Sequence, residues 1–176
     1  MVEHALTFNH VTLSSGKRSD YYIDGKMVAT LKEGGPLLAD LIKEKIGNIP
    51  VDAVGGLTIG ADPMLGALTG KGHFNTFIIR KEPKEHGLSK LIEGQLSTQD
   101  KSVVIVDDVA TTGKSLLRAI DTVKSEYSDI KILKVIVLVD REEGAKEYLK
   151  EHGYELEHIF TSEELIKEKQ KWEQAA

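Results

Sequence analysis

Two adjacent carboxylates, Asp107 and Asp108, stand between four β-branched apolar residues, Val103 to Val106, and a run of small and hydroxyl-bearing residues, Val109-Ala110-Thr111-Thr112-Gly113. The apolar run is too short for a helix and too apolar on both faces for an exposed strand, so it predicts a buried parallel strand. After Lys114 and Ser115, Leu116, Leu117, Ile120 and Val123 recur with helical spacing. The stretch therefore predicts a strand, a loop and a helix. Backbone N–H groups in such a loop, with the positive end of the helix behind them, hold a phosphate, and Thr111, Thr112 and Ser115 can donate hydroxyl bonds to it. Two carboxylates beside a phosphate would repel it unless they faced something else. Ribose hydroxyls and a magnesium ion are their natural partners, which points to a sugar phosphate with its phosphate in the loop and its diol on the acids. Gly113-Lys114-Ser115 also suggests a nucleoside triphosphate loop, but that motif needs a glycine five positions before Gly113, where Asp108 stands.

Three further segments carry residues suited to chemistry. Gly56-Leu57-Thr58-Ile59-Gly60-Ala61-Asp62-Pro63 joins a predicted strand, Val51 to Gly55, to a predicted helix, Met64 to Leu68. It is a second candidate anion loop, although such glycine-rich turns more often merely close a strand-to-helix junction. Arg80, Lys81, Lys84 and His86 fall within seven residues at the end of the predicted strand Phe74 to Arg80, with Lys90 beyond and Gly87 and Gly94 as flexible points. A charge run is usually a solvated face; in a chain of net charge -5 this one suits a multiply charged anion such as pyrophosphate. Arg141 follows the predicted strand Ile132 to Val139, at the end where open α/β sheets place ligands. It can equally cap the next helix or pair with Glu142.

The elements that position these groups are legible from periodicity. Phe8 to Lys26, with the turn-forming Ser14 to Ser19 at its centre, predicts a hairpin or strand-loop-strand bearing Tyr21 and Tyr22. Gly34-Gly35-Pro36 opens a helix with a stripe of Leu37, Leu38, Leu41, Ile42 and Ile46, ending near Gly47. A helix from Ala145, a short strand through Leu156 to Phe160 and a charged, solvated helix from Glu163 to Gln174 complete the chain. His152 and His158 lack ligand-like spacing. Strands alternating with helices predict a mostly parallel sheet with helices on both faces. The 176 residues suit one domain, and the absence of cysteine excludes disulfides and thiol chemistry. The net acidic charge predicts no general nucleic-acid binding, and no apolar run predicts a membrane span, so a cytoplasmic location is the default.

Taken in order, these motifs resemble those of the type I phosphoribosyltransferases, and Leu13-Ser14-Ser15-Gly16-Lys17-Arg18-Ser19-Asp20-Tyr21-Tyr22-Ile23-Asp24, Arg80-Lys81-Glu82-x-Lys84-x-His86-Gly87 and Asp140-Arg141-Glu142-Glu143-Gly144 resemble the orotate phosphoribosyltransferases. The resemblance implies one domain over 1–176, with a small amino-terminal hood at about 1–35, to which part of the carboxyl end can contribute, and a core at about 36–160. It implies catalysis by Lys81, Lys84, His86, Asp107 and Asp108. Phosphoribosyl pyrophosphate would lie on Arg80, Lys81, Lys84, His86, Asp107, Asp108, Val109, Ala110, Thr111, Thr112, Gly113, Lys114 and Ser115. Orotate would lie on Tyr21, Tyr22, Thr111 and Arg141. Magnesium would bind through the substrate, with Asp107 and Asp108 reached directly or through water, and a homodimer would share loop 80–94 across its interface. Two departures stand out: Ser14 and Gly60 occupy positions where some members carry lysine, with Lys17 or Arg18 the available substitutes at the first. A purine-using relative and a nucleotide sensor that has lost the chemistry are the competing readings.

Overall fold

The computed structural model describes residues 1–12, 18–83 and 90–175. Five strands, β5 (Ala53–Leu57), β6 (Asn75–Ile79), β8 (Ser102–Ala110), β9 (Lys131–Asp140) and β10 (Leu156–Thr161), lie parallel, and β7 (Ile92–Gly94) adds an antiparallel edge. The order across the sheet is β10-β9-β8-β5-β6-β7. Sequence alternation along β8 and β9 explains why both faces are dry. Val104, Val106, Ile136 and Leu138 face one core with the helices α1 (Lys26–Ala29), α2 (Gly34–Ile46), α3 (Asp62–Gly70) and α6 (Ser162–Ala175). Val103, Ile105, Val135 and Val137 face a second core with α4 (Lys114–Glu126) and α5 (Ala145–Glu151). Successive strand residues point to opposite faces, so an uninterrupted apolar run demands cover on both.

Elsewhere the structure departs from expectation for identifiable reasons. The amino-terminal segment is two small antiparallel pairs, not one hairpin: β1 (Leu6–Thr7) with β4 (Tyr22–Ile23), and β2 (Val11–Thr12) with β3 (Arg18–Ser19). Leu6 and Ile23 sit opposite one another and are buried in the first core, which recruits a segment upstream of the anticipated turn. The stripe on α2 is Leu38, Ala39, Ile42 and Ile46, while Leu37 is 62% exposed. Helix α6 is not wholly solvated: Leu165 is buried, and Lys169 Nζ donates to the Val2 carbonyl at 3.0 Å, tying the two ends of the chain together. Gly94 is fixed in the edge strand, because Ile92 is buried opposite Ile79 and a side chain at Gly94 would meet the Thr76 carbonyl at 2.8 Å.

Strand β5 carries Gly55 and Gly56 in the middle of the sheet, where glycine normally weakens a strand. The reason is close approach. A Cβ on Gly55 would lie 2.2 Å from the Phe77 ring, which is fully buried, and one on Gly56 would lie 2.3 Å from the Val106 carbonyl. Gly66 on α3 has open space around it. Gly55→Ala should therefore lower the chemical-denaturation stability by about 1–3 kcal/mol through overpacking. Gly66→Ala should raise it by roughly 0.5–1 kcal/mol by relieving helix entropy. Urea melts of the two variants beside the unsubstituted protein check both signs.

Candidate active site

A cleft of about 440 Å³ opens at the carboxyl ends of the parallel strands, where ligands of open α/β sheets bind. Asp107 and Asp108 form its floor. Strand β8 runs on to Ala110, so the acids lie within its last turns of pleat and not just beyond it. Asp107 is 8% exposed and its Oδ1 accepts the Asp108 N–H at 3.0 Å; Asp108 Oδ1 accepts the Val109 N–H at 2.9 Å. Burial first, and then the neighbouring charge of Asp108, push the Asp107 carboxyl up to about 8, against an opposing pull from Lys81. At neutral pH Asp107 is thus predominantly protonated.

Lys26, at the start of α1, reaches Asp24 Oδ1 at 2.7 Å and Asp108 Oδ2 at 3.4 Å. Partial burial would pull its ammonium down, but the hydrogen bond to Asp24 and the charges of Asp108 and Asp24 together hold it above its ordinary value. Two glycines close on the same acid. A Cβ at Gly60 would lie 2.5 Å from Asp108 Oδ1 and 2.8 Å from Asp107 Oδ1, and one at Gly25 would lie 2.9 Å from the Asp108 Cβ. A side chain at position 60, lysine included, would have to displace the acids. The glycine-rich connection Thr58-Ile59-Gly60 lines the cleft, and its Thr58–Ile59 peptide is cis.

Beyond the acids, Gly113 takes a left-handed conformation (φ 77°) at the mouth of α4, and Thr111 and Ser115 line the cleft. Thr112 and Lys114 do not line it, and the Ala110 side chain belongs to the second core. Across the cleft, Arg141 is 4% exposed and held from three sides. Its Nε donates to Glu143 Oε1 at 2.8 Å, its Nη2 donates to Ser19 Oγ at 2.9 Å, and its guanidinium lies 4.3 Å from the centre of the Tyr21 ring. Tyr21 therefore backs the arginine, while Tyr22 faces the cleft.

Lys81 lines the cleft from the end of β6, and its carbonyl accepts a hydrogen bond from Arg118 Nη2 on α4. Arg80 turns the other way, with Nη1 3.4 Å from Glu93 Oε1 and Nε bonded to the Glu82 carbonyl. Lys84 and His86 lie outside the described residues. The structure thus gathers Tyr22, Lys81, Asp107, Asp108, Val109, Thr111, Ser115 and Arg141, and leaves Arg80, Thr112 and Lys114 at the margin. Sequence reasoning missed Lys26, Ser19, Arg118 and the role of Gly60. The signal for Lys26 was faint: it follows the Tyr21 to Asp24 run by two residues, but the cleft acid it meets, Asp108, is 82 residues away. Among the described residues there is no helix long and apolar enough to cross a membrane.

The displaced proton on Asp107 has a consequence for stability. Its native pKa, about 8, lies far above the ordinary carboxylate value of about 3.9, so the folded protein binds more protons than the unfolded chain between these limits. Its contribution to stability is greatest below about pH 4, declines as pH rises, and is fully lost above about pH 8. Asp107→Asn should consequently gain little melting temperature over the unsubstituted protein in acid and most at pH 9. Ligand-free thermal melts at pH 4, 6.5 and 9 measure this.

A model of the phosphoribosyl transferase domain matches residues 26–159. The orotate phosphoribosyltransferase of Pyrococcus horikoshii is 40% identical over 167 residues, covering 94% of this chain and 88% of that one. The crystal structure of orotate phosphoribosyltransferase from Aeropyrum pernix superposes with a TM-score of 0.80 at 33% identity, covering 96% of this chain and 93% of the other. That of the Mycobacterium tuberculosis enzyme in complex with 5-phospho-α-D-ribosyl 1-diphosphate gives 0.72 at 30% identity, covering 89% of each. With an acidic pair, a glycine-closed loop and a helix mouth in one cleft, and with likeness running over most of its length, this chain belongs to the orotate phosphoribosyltransferase family of pentosyltransferases and adopts the type I phosphoribosyltransferase fold.

Proposed function

We propose that the protein transfers the phosphoribosyl group of phosphoribosyl pyrophosphate to orotate, giving orotidine 5′-monophosphate and pyrophosphate, in pyrimidine synthesis. The observation that carries this reading is the facing of Asp107-Asp108 and the Thr111 to Ser115 loop across one cleft from a preorganised arginine, Arg141. The 5′-phosphate seats on the loop N–H groups at the start of α4 and on the hydroxyls of Thr111 and Ser115. The ribose diol meets Asp107 and Asp108, whose carboxyl oxygens hydrogen-bond its hydroxyls. Arg141 takes the carboxylate of the base, and Tyr22 flanks it. Glu143, Ser19 and Tyr21 fix the guanidinium beforehand, so little side-chain entropy is lost on binding.

The new bond forms between the ring nitrogen of orotate and the anomeric carbon as the bond from that carbon to pyrophosphate breaks. Cationic character builds on the sugar and negative charge on the leaving group, so fixed countercharges lower the barrier. Lys81 supplies one from within the cleft, with Lys84, His86 and Arg80 completing the set as loop 80–94 closes and excludes water. Asp107 and Asp108 would stand beside a magnesium ion brought by the donor, which would supply positive charge against the departing pyrophosphate. The donor set fits that mode: among the described residues no group of three His, Cys, Asp or Glu could cage a metal alone, and magnesium is commonly held by one or two carboxylates plus substrate phosphates. The same reading makes the chain a single phosphoribosyltransferase domain, cytoplasmic and homodimeric, with part of loop 80–94 entering the partner's site.

Ultraviolet loss of orotate on mixing with phosphoribosyl pyrophosphate and magnesium, beside parallel reactions with uracil, adenine and hypoxanthine, tests the reading. Orotate alone should be consumed; consumption of a purine would favour the purine relative, and of no base the sensor. Arg141→Gln should lower kcat/KM for orotate roughly 10- to 100-fold, the cost of a charged hydrogen bond, and narrow the preference over uracil. Lys81→Ala should lower turnover on the order of 10²- to 10³-fold with orotidine monophosphate affinity, read by fluorescence titration, nearly unchanged.

A further inference from the structure

The cleft contains a cation where the proposed reaction brings another. Lys26 Nζ stands 2.7 Å from Asp24 Oδ1 and 3.4 Å from Asp108 Oδ2, and its side chain, 33% exposed, lines the cleft beside Asp107. The arrangement is built, not incidental. Asp24 Oδ1 also accepts the Lys26 backbone N–H at 3.1 Å, which sets the start of α1. Gly25 and Gly60 allow the backbone to close on Asp108 from two directions. The carboxylates of Asp24 and Asp108 converge on one point of a partly enclosed cleft, and the ammonium held between them offsets the negative charge that would otherwise attract a free divalent cation.

We propose that Lys26 is a positioning residue that serves as an internal counterion. In the free protein it orients Asp108 and keeps Asp24 and Asp108 from capturing a divalent metal, and when a polyphosphorylated donor arrives its ammonium turns to the donor's phosphates, leaving Asp108 to the ribose and its metal. The inference rests on the proposed function for the identity of the donor. It gives the metal an order of entry: metal joins the site with the donor and not before it.

The test titrates Mn²⁺ into the intact protein without orotate, reading free Mn²⁺ by electron paramagnetic resonance. The unsubstituted protein and Lys26→Arg, which keeps the charge, should bind Mn²⁺ weakly. Lys26→Met should bind it at least about tenfold more tightly, and adding Asp108→Asn to that variant should abolish the gain. With phosphoribosyl pyrophosphate present, the affinities of Lys26→Met and the unsubstituted protein should converge to within about threefold. Equal Mn²⁺ binding by Lys26→Met and the unsubstituted protein would overturn the proposal, as would Lys26→Arg behaving like Lys26→Met or an undiminished difference in the presence of donor. The donor-free titration is independent of orotate consumption, so the counterion can fail while the transferase reading stands, and the reverse.

Discussion

Everything in this molecule is arranged around the burial of two adjacent carboxylates at the end of β8. Taking two like charges out of water is prohibitive unless something neutralises them. Here one acid keeps its proton and the other pairs with Lys26, while backbone N–H groups satisfy an oxygen on each.

Such a pair has to be held rigidly, and the sheet does this by covering both faces of β8 with separate cores. Interior packing at near-crystalline density leaves little room for the strand to shift. Glycines then bring neighbouring backbone into contact where a side chain would intrude: Gly55 and Gly56 beneath the site, Gly60 and Gly25 around it. The same economy of space excludes a lysine at position 60, and the nearby positive charge arrives from α1.

The amino-terminal segment links Arg141 to the body of the protein. Ser19 and Tyr21 reach over to Arg141, whose own N–H bonds to the Ala110 carbonyl at the end of the phosphate-loop strand. Leu6 and Ile23 anchor that segment in the first core beside Leu165 of α6. On the opposite side, Arg118 of α4 ties down the backbone of Lys81. Arg141 and Lys81 are thus each braced by a direct bond from another element.

What the sequence determined by itself was local. The unbroken run Val103 to Val106 required a strand covered on both faces, the spacing of Leu116, Ile120 and Val123 required a helix one loop later, and the acids between them marked the site. These follow from periodicity and from the obligatory satisfaction of backbone groups, which act over a few residues. The tertiary structure alone decided what faces the acids. Lys26 meets Asp108 across 82 residues and Ser19 meets Arg141 across 122. Arg80, adjacent to Lys81 in the chain, turns instead to Glu93 on an edge strand that no periodicity announced, because three residues are too few to show a period. The pairing of β1 with β4 was equally hidden, since two-residue strands draw their register from the core they cover and not from their own pattern.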